Sequence, residues 1–290
     1  MSITISEPYV NYKHKVDVFT FPGGEVNVTI NLDKVPLNPN HLFINARVAN
    51  SNDFIATLLT TDAVRREFGN IKITLFIPYF PYARQDRACN SGEALSVAVI
   101  AKMINAMDFH EVIIVDPHSD VTPALINNCI VWDQTVILDL FEKYREDWNL
   151  YRKLCNKELT LVSPDAGAEK KILQVAKHFN GLDIIHASKV RDTSTGRITA
   201  TKIDDSWNHF DSMAGMDLLI VDDICDGGMT FIKLAEELQN FSPNSINLYV
   251  THGIFSKGYA PLFEAGISRI FTTNSFEQTY EVSGLRVVSL

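Results

Sequence analysis

Four cysteines are few for 290 residues, and Cys89, Cys129, Cys155 and Cys225 show neither a CxxC pair nor Cys/His ligand spacing. That excludes a zinc finger and a disulfide framework, and it leaves reduced thiols in a cytosolic compartment as the expectation. The basic cluster of a nucleic-acid binder is also missing, against a net charge of −9. The basic pairs Arg65-Arg66 and Lys170-Lys171 read as solvated helix faces. No apolar run approaches the roughly 20 residues that cross a bilayer. Lys13, His14, Lys15 and Asp17 stand where a signal peptide would need its apolar core, so neither a membrane partner nor a leader is expected. The dinucleotide fingerprint GxGxxG does not occur. There is no short-period repeat and no low-complexity tract.

What the chain does contain is alternation of strand and helix. With 46% hydrophobic and 21% charged residues it reads as a soluble globular protein, long enough for one large domain or two of ordinary size. Residues 16–30 alternate polar and apolar side chains around FPGGE, a hairpin signal with Gly23 and Gly24 at the turn. Residues 42–48 read as a strand, followed by a helix capped by Ser51 or Asn52, carrying Phe54, Ile55, Leu58 and Leu59 and stopping at Gly69. After a strand at 71–77 comes a long polar loop, then a helix opening at Glu93 with Leu95, Val99 and Met103 inward. Further strands are predicted at 111–116, 159–162, 182–186, 218–221, 246–250, 269–272 and 286–289. A helical connection at 137–154 lies near the middle, so the expected organisation is two α/β units of similar size, each with a mostly parallel sheet.

Residues 215–239, GMDLLIVDDICDGGMTFIKLAEELQ, organise the rest. An apolar run at 218–221 predicts a strand buried on both faces. From Thr230 onward Phe231, Leu234, Ala235 and Leu238 mark one face of a helix. Between them lies a loop of Asp222, Asp223, Asp226, Gly227, Gly228 and Thr230. Small residues and unpaired backbone amides at a helix N-terminus suit a phosphate. The carboxylates suit a sugar diol, or a metal ion held through water. A ribose phosphate meets both demands; a βα turn whose aspartates cap the helix is the ordinary alternative, and the loop alone leaves the two about even.

Other loops carry similar potential. In PYFPYARQDRACNSG, Arg84 and Arg87 are bidentate phosphate donors, while Tyr79, Phe80 and Tyr82 serve better as anchors than as base-stacking platforms. His118 follows the carboxyl end of a strand, where α/β sites lie. Asp165 and Gly167 occupy the turn before a helix bearing Ile172, Val175, Ala176 and Phe179, a second phosphate-capable loop or a simple cap. Residues 187–197, ASKVRDTSTGR, read as a polar surface loop containing Lys189 and Arg191.

Two strings are far more specific than these parts. DDICDGGMT resembles the phosphoribosyl-pyrophosphate loop of the type I phosphoribosyltransferase fold, with Gly227 where a Thr is usual and Met229 where a Gly is usual. IPYFPYARQDR followed by SGEALS resembles the ATP-binding loop of ribose-phosphate pyrophosphokinases. FPGGE, EVIIVDPHSD, VSPDAGAEKK and YVTHGIFSKG resemble further segments of that family, with Pro117 for Leu and Ala168 for Gly.

The resemblance implies two similar phosphoribosyltransferase-like domains, residues 1–140 and 141–290, each an α/β unit with a mostly parallel central sheet flanked by helices. It implies a ribose-phosphate diphosphokinase that transfers the diphosphoryl group of ATP to the anomeric hydroxyl of ribose 5-phosphate. ATP would be held by Arg84, Gln85 and Asp86, with Phe21 and Glu25 reaching adenine from a neighbouring subunit. Ribose 5-phosphate would be held by Asp222, Asp223, Asp226, Gly227, Gly228 and Thr230. His118 and Asp165 would be linked to Mg2+, and Lys189, Arg191 and His118 would be catalytic. The expected assembly is a homo-oligomer, dimer or hexamer, in the cytoplasm. A catalytically silent regulatory relative, or a phosphoribosyltransferase that consumes phosphoribosyl pyrophosphate, are the rival readings.

Overall fold

The computed structural model describes residues 2–8, 13–35, 39–142, 150–191, 198–204, 212–276 and 282–290. The chain divides into two compact units, Met1–Asp133 and Gln134–Leu290.

In the first unit the strands are β1 (Ser2–Ser6), β2 (His14–Lys15), β3 (Asp17–Thr20), β4 (Val26–Thr29), β5 (His41–Arg47), β6 (Lys72–Phe76), β7 (Glu111–Val115) and β8 (Cys129–Trp132). They form one sheet in the order β2-β1-β5-β6-β7-β8 and a separate β3-β4 hairpin. From β5 to β8 neighbours run parallel, while β1 pairs antiparallel with both β2 and β5. Ile73, Leu75, Val112, Ile114 and Val115 are buried, as parallel strands covered on both faces require.

Helix α1 (Ser51–Phe68) is capped one residue earlier than predicted: the Asn50 side chain accepts from the Asp53 amide at 3.1 Å, and Gly69 closes the helix at φ 69°. Its inner face is less apolar than expected. Ile55 is exposed, whereas Thr57, Thr60 and Thr61 are buried with their hydroxyls donating to carbonyls one turn back. Helix α2 (Ser96–Asn105) starts later than predicted and buries Val97, Ile100, Ala101 and Ile104; of the three residues predicted inward, Met103 is partly buried against the core while Leu95 and Val99 are exposed. SVAVIAKMIN is apolar nearly all round, so its periodicity permits either face. A short helix, α3 (Val121–Leu125), follows β7.

The second unit begins with α4 (Gln134–Leu140) and α5 (Leu150–Cys155) where one helical connection was predicted. Its strands are β9 (Thr160–Ser163), β10 (Ile184–Arg191), β11 (Ile198–Ile203), β12 (Asp217–Cys225), β13 (Ser245–Gly253), β14 (Ile267–Thr273) and β15 (Leu285–Val288), in the order β11-β10-β9-β12-β13-β14-β15. All pairs are parallel except β10 with β11. Helices α6 (Glu169–His178), α7 (Met229–Gln239) and α8 (Ala260–Glu264) complete the unit. A core of Val162, Leu218, Ile220, Leu248 and Val250 packs with Phe231, Leu234 and Leu238 of α7.

Two strands run further than their apolar runs suggested. Residues 187–191, read as loop, continue β10, with Lys189 opposite Thr201 and Arg191 opposite Ile198. Residues 222–225, also read as loop, continue β12, with Asp222 opposite Val250 and Cys225 opposite Gly253. In both cases a long partner strand supplies the hydrogen-bond ladder that a polar sequence does not advertise.

Candidate active site

In the first unit the loop after β6 and the loop after β7 meet. Asp86 is buried, and Arg87 grips its carboxylate with two bonds, Nε to Oδ1 at 2.8 Å and Nη2 to Oδ2 at 3.2 Å. The Arg87 bonds hold Asp86 down at about 2 on the pKa scale, against the opposing effect of burial, and a Ser119 hydrogen bond and the His118 charge add to them. The predicted nucleotide residue Asp86 is thus an internal brace joining the two loops, while Arg84, Gln85, Arg87 and His118 are exposed. Downstream, Glu93 closes the loop by accepting from the amides of Cys89 (2.7 Å) and Asn90 (3.0 Å) and from the Asn90 side chain. Phe80 is buried, and Tyr82, at φ 61°, shares a hydrogen bond of 2.9 Å with Ser51, so these two aromatics anchor the loop.

At the β3-β4 turn the Phe21 amide donates to the Glu25 carbonyl at 2.8 Å, and Gly24 takes φ 95°. Phe21 is 47% exposed and meets Phe19 edge-on at 5.1 Å, and Glu25 is exposed as well.

In the second unit Asp222 and Asp223 lie together with a lysine, and the charge of Asp165 reaches them. Asp165 Oδ1 accepts from the amides of Gly167 (2.8 Å) and Ala168 (3.2 Å), which makes it the cap of the turn into α6. Asp222 and Asp223 are successive residues of β12, and the Asp223 amide donates to Asp222 Oδ1 at 2.8 Å. Burial, then the charge of Asp223 and more distantly that of Asp165, push the Asp222 carboxyl well above the ordinary carboxylate range. Lys171, predicted to lie on a solvated face, instead turns inward, with Nζ 3.7 Å from Asp223 Oδ2. A signal for this was present: Lys171 is four residues before the buried Val175 and so lies on the apolar arc of α6.

Past Cys225 the backbone turns to start α7 at Met229, with Gly228 at φ 75° and Thr230 second in the helix. Cys225 is buried beneath this turn, which drives its thiol up to about 12. The segment after β13 straps the loop: the amides of Ile254 and Phe255 donate to the Cys225 carbonyl, and that of Ser256 to the Asp226 carbonyl. The backbones of Lys189 and Arg191 are placed in β10; their side chains, and residues 192–197, lie outside the described residues.

Among the described residues no three His, Cys, Asp or Glu side chains converge to hold a metal ion. The donor set nevertheless suits Mg2+, which takes oxygen ligands and keeps several waters, so that one or two carboxylates suffice. The mutual repulsion of Asp222, Asp223 and Asp165 is what a cation would relieve.

Comparison with known proteins bears on the whole chain. The profile described as the N-terminal domain of ribose phosphate pyrophosphokinase matches residues 3–107, and that of the phosphoribosyl transferase domain matches residues 137–283. The ribose-phosphate pyrophosphokinase of Campylobacter jejuni is 28% identical over 272 residues, spanning 93% of this chain and 82% of the relative. That of Pyrococcus abyssi is 30% identical over 240 residues, spanning 81% and 75%. A crystal structure of phosphoribosylpyrophosphate synthetase from Mycobacterium smegmatis shares the fold, with a TM-score of 0.75 at 19% identity over 95% of this chain and 86% of that one. The two profiles and these relatives show the family: the chain belongs to the ribose-phosphate pyrophosphokinases.

Proposed function

We propose that this chain transfers the diphosphoryl group of ATP to the anomeric hydroxyl of ribose 5-phosphate, giving phosphoribosyl pyrophosphate and AMP. The anomeric oxygen bonds to the β-phosphorus, the bond from that phosphorus to the α,β-bridging oxygen breaks, and the hydroxyl proton is released. Such a transfer needs alignment and charge neutralisation more than covalent help. The observation that carries the reading is that one chain carries both an N-terminal unit with the Arg84–Arg87 loop and a second unit with the Asp222–Thr230 loop. An enzyme that only consumes phosphoribosyl pyrophosphate has no use for the first.

Within this reading an N-terminal domain, residues 1–140, holds the nucleotide through Arg84 and Gln85, with Asp86 bracing them. Phe21 and Glu25 serve adenine in a neighbouring copy of the chain, which makes the protein a homo-oligomer. Residues 141–290 hold the sugar phosphate: Asp222 and Asp223 accept from the sugar hydroxyls, and Asp226, Gly227, Gly228 and Thr230 cradle the phosphate at the start of α7. Magnesium, when bound, neutralises polyphosphate charge, and His118 and Asp165 are the residues assigned to hold it. Asp165 can do so while holding the turn before α6, since a carboxylate has about four acceptor sites and two amides occupy one oxygen. Lys189 and Arg191 stabilise the charge that develops on transfer. Free cysteines and a nucleotide substrate support a cytoplasmic location in this reading.

Purified protein given ATP, ribose 5-phosphate and Mg2+ is expected to release AMP and the diphosphorylated sugar in equal amounts. Release of ADP or phosphate alone, or consumption of phosphoribosyl pyrophosphate with a base instead, would remove the assignment. Lys189→Ala and Arg191→Ala should each lower kcat by about two orders of magnitude or more with little change in KM for ribose 5-phosphate, as loss of an interaction made only in the transition state requires.

A further inference from the structure

We infer that Lys171 is a positioning residue for the sugar-binding carboxylates: its ammonium group fixes Asp223 from inside the fold, so that the Asp222-Asp223 pair keeps its acceptors turned to a sugar diol. The identity of that diol rests on the function proposed above. The placement of the lysine does not.

Lys171 lies in the first turn of α6, the helix that the Asp165 turn begins. Its Nζ is buried, and its side chain and that of Asp223 are 22% and 7% exposed. At 3.7 Å the two groups attract as charges, yet the separation exceeds a direct charge-assisted hydrogen bond. The lysine therefore offsets the Asp223 charge without occupying that oxygen as a donor would. This matters because Asp222 and Asp223 are adjacent on one strand, and Asp165 adds a third negative charge nearby. Carboxylates that repel one another turn apart, and that change spoils acceptance of two hydroxyls at once. A buried cation beside Asp223 holds that carboxylate in place. Removing one partner of a buried ion pair leaves the other charge buried and uncompensated, so a change at Lys171 is felt at Asp223.

The interaction acts equally on bound sugar and on the transition state, so its loss should appear in binding rather than turnover. Calorimetric titration with ribose 5-phosphate in Mg2+ buffer, paired with steady-state kinetics, is the test. K171M is expected to weaken the Kd for ribose 5-phosphate tenfold or more and to raise its KM in step, with kcat and the KM for ATP within threefold of wild type. K171R, which restores the charge, should return Kd to within threefold. In a D223N background K171M should change Kd by less than threefold, because the lysine works through that carboxylate. K171M that lowers Tm but binds normally, K171R as weak as K171M, or an undiminished effect in the D223N background would each overturn the inference. If K171M does not fold, K171Q replaces it with the same expected loss. A wild type that binds ribose 5-phosphate with these dependences but yields no AMP would sink the synthase reading and leave the role of Lys171 standing.

Discussion

At the scale of single residues, neighbouring glycines in the Asp222–Thr230 loop carry opposite constraints. Gly228 has φ 75°, and a Cβ there would lie 3.2 Å from Leu262 Cδ2. Gly228→Ala should therefore cost about 1–2 kcal/mol from the left-handed backbone alone, seen as a lower Tm and a raised KM for ribose 5-phosphate. Gly227 carries no such φ, and the nearest atom to its would-be Cβ is Lys257 Cγ at 4.0 Å. Gly227→Thr should leave Tm within about 1 °C. It should also lower KM for ribose 5-phosphate by roughly 2- to 10-fold if the hydroxyl reaches the phosphate, since one hydrogen bond is worth about 0.5–1.5 kcal/mol. Asp86 gives a pH-dependent counterpart. Its folded pKa is depressed to about 2, so its contribution is present above the unfolded carboxylate value and is lost as pH falls toward 2. Because Arg87 is 73% exposed, solvent screening trims that contribution to about 1 kcal/mol at neutral pH. Asp86→Asn should lower Tm at pH 7, and thermal melts from pH 5 down to 2 should show the gap to wild type closing.

At the scale of elements, what the sequence disclosed depended on how one-sided each pattern was. Helix α7 has one apolar stripe, Phe231, Leu234, Ala235 and Leu238, and all four are buried as predicted. Helix α2 has no polar face to orient it, so the choice of Leu95 and Val99 over Val97, Ile100 and Ile104 was open from periodicity and fell the wrong way. Strand ends were hidden for another reason. Asp222 and Asp223 sit on β12 because β13 runs alongside to Gly253, and a partner contributed by residues some 30 positions away leaves no trace in the local string. The loops were legible from residue chemistry, but the links between loops were not. Asp86 to Ser119 and Lys171 to Asp223 are tertiary contacts between segments read separately. The face assignment for α2 can be checked by urea unfolding. Ile104→Ala should cost about 2–4 kcal/mol, as for other buried large-to-small changes, whereas Val99→Gln should stay within about 0.5 kcal/mol.

At the scale of the whole molecule, a chain with net charge −9 is proposed to bind two polyanionic substrates, so attraction must come from local groups rather than from the overall field. In the proposed function Arg84 and the start of α7 are such groups, and each acts over a few ångströms. The β3-β4 turn supplies something else. Phe19 and Phe21 are 42% and 47% exposed on a two-stranded hairpin, a costly display of aromatic surface that a second copy of the chain would cover. If Phe21 completes the nucleotide site of its neighbour while Lys189 serves its own, defects at the two positions fall on different sites of a mixed oligomer. Phe21→Ala and Lys189→Ala, each poorly active alone at low ATP, should then complement when co-expressed: in a hybrid pair one site keeps both intact residues. Random pairing in a two-fold dimer puts an intact site in roughly a quarter of all sites, and the recovered rate should approach that share of wild type. Light scattering should find the oligomer in every sample. Co-expressed variants that assemble normally yet stay as inactive as either parent would place Phe21 in its own subunit's chemistry, or outside the site altogether.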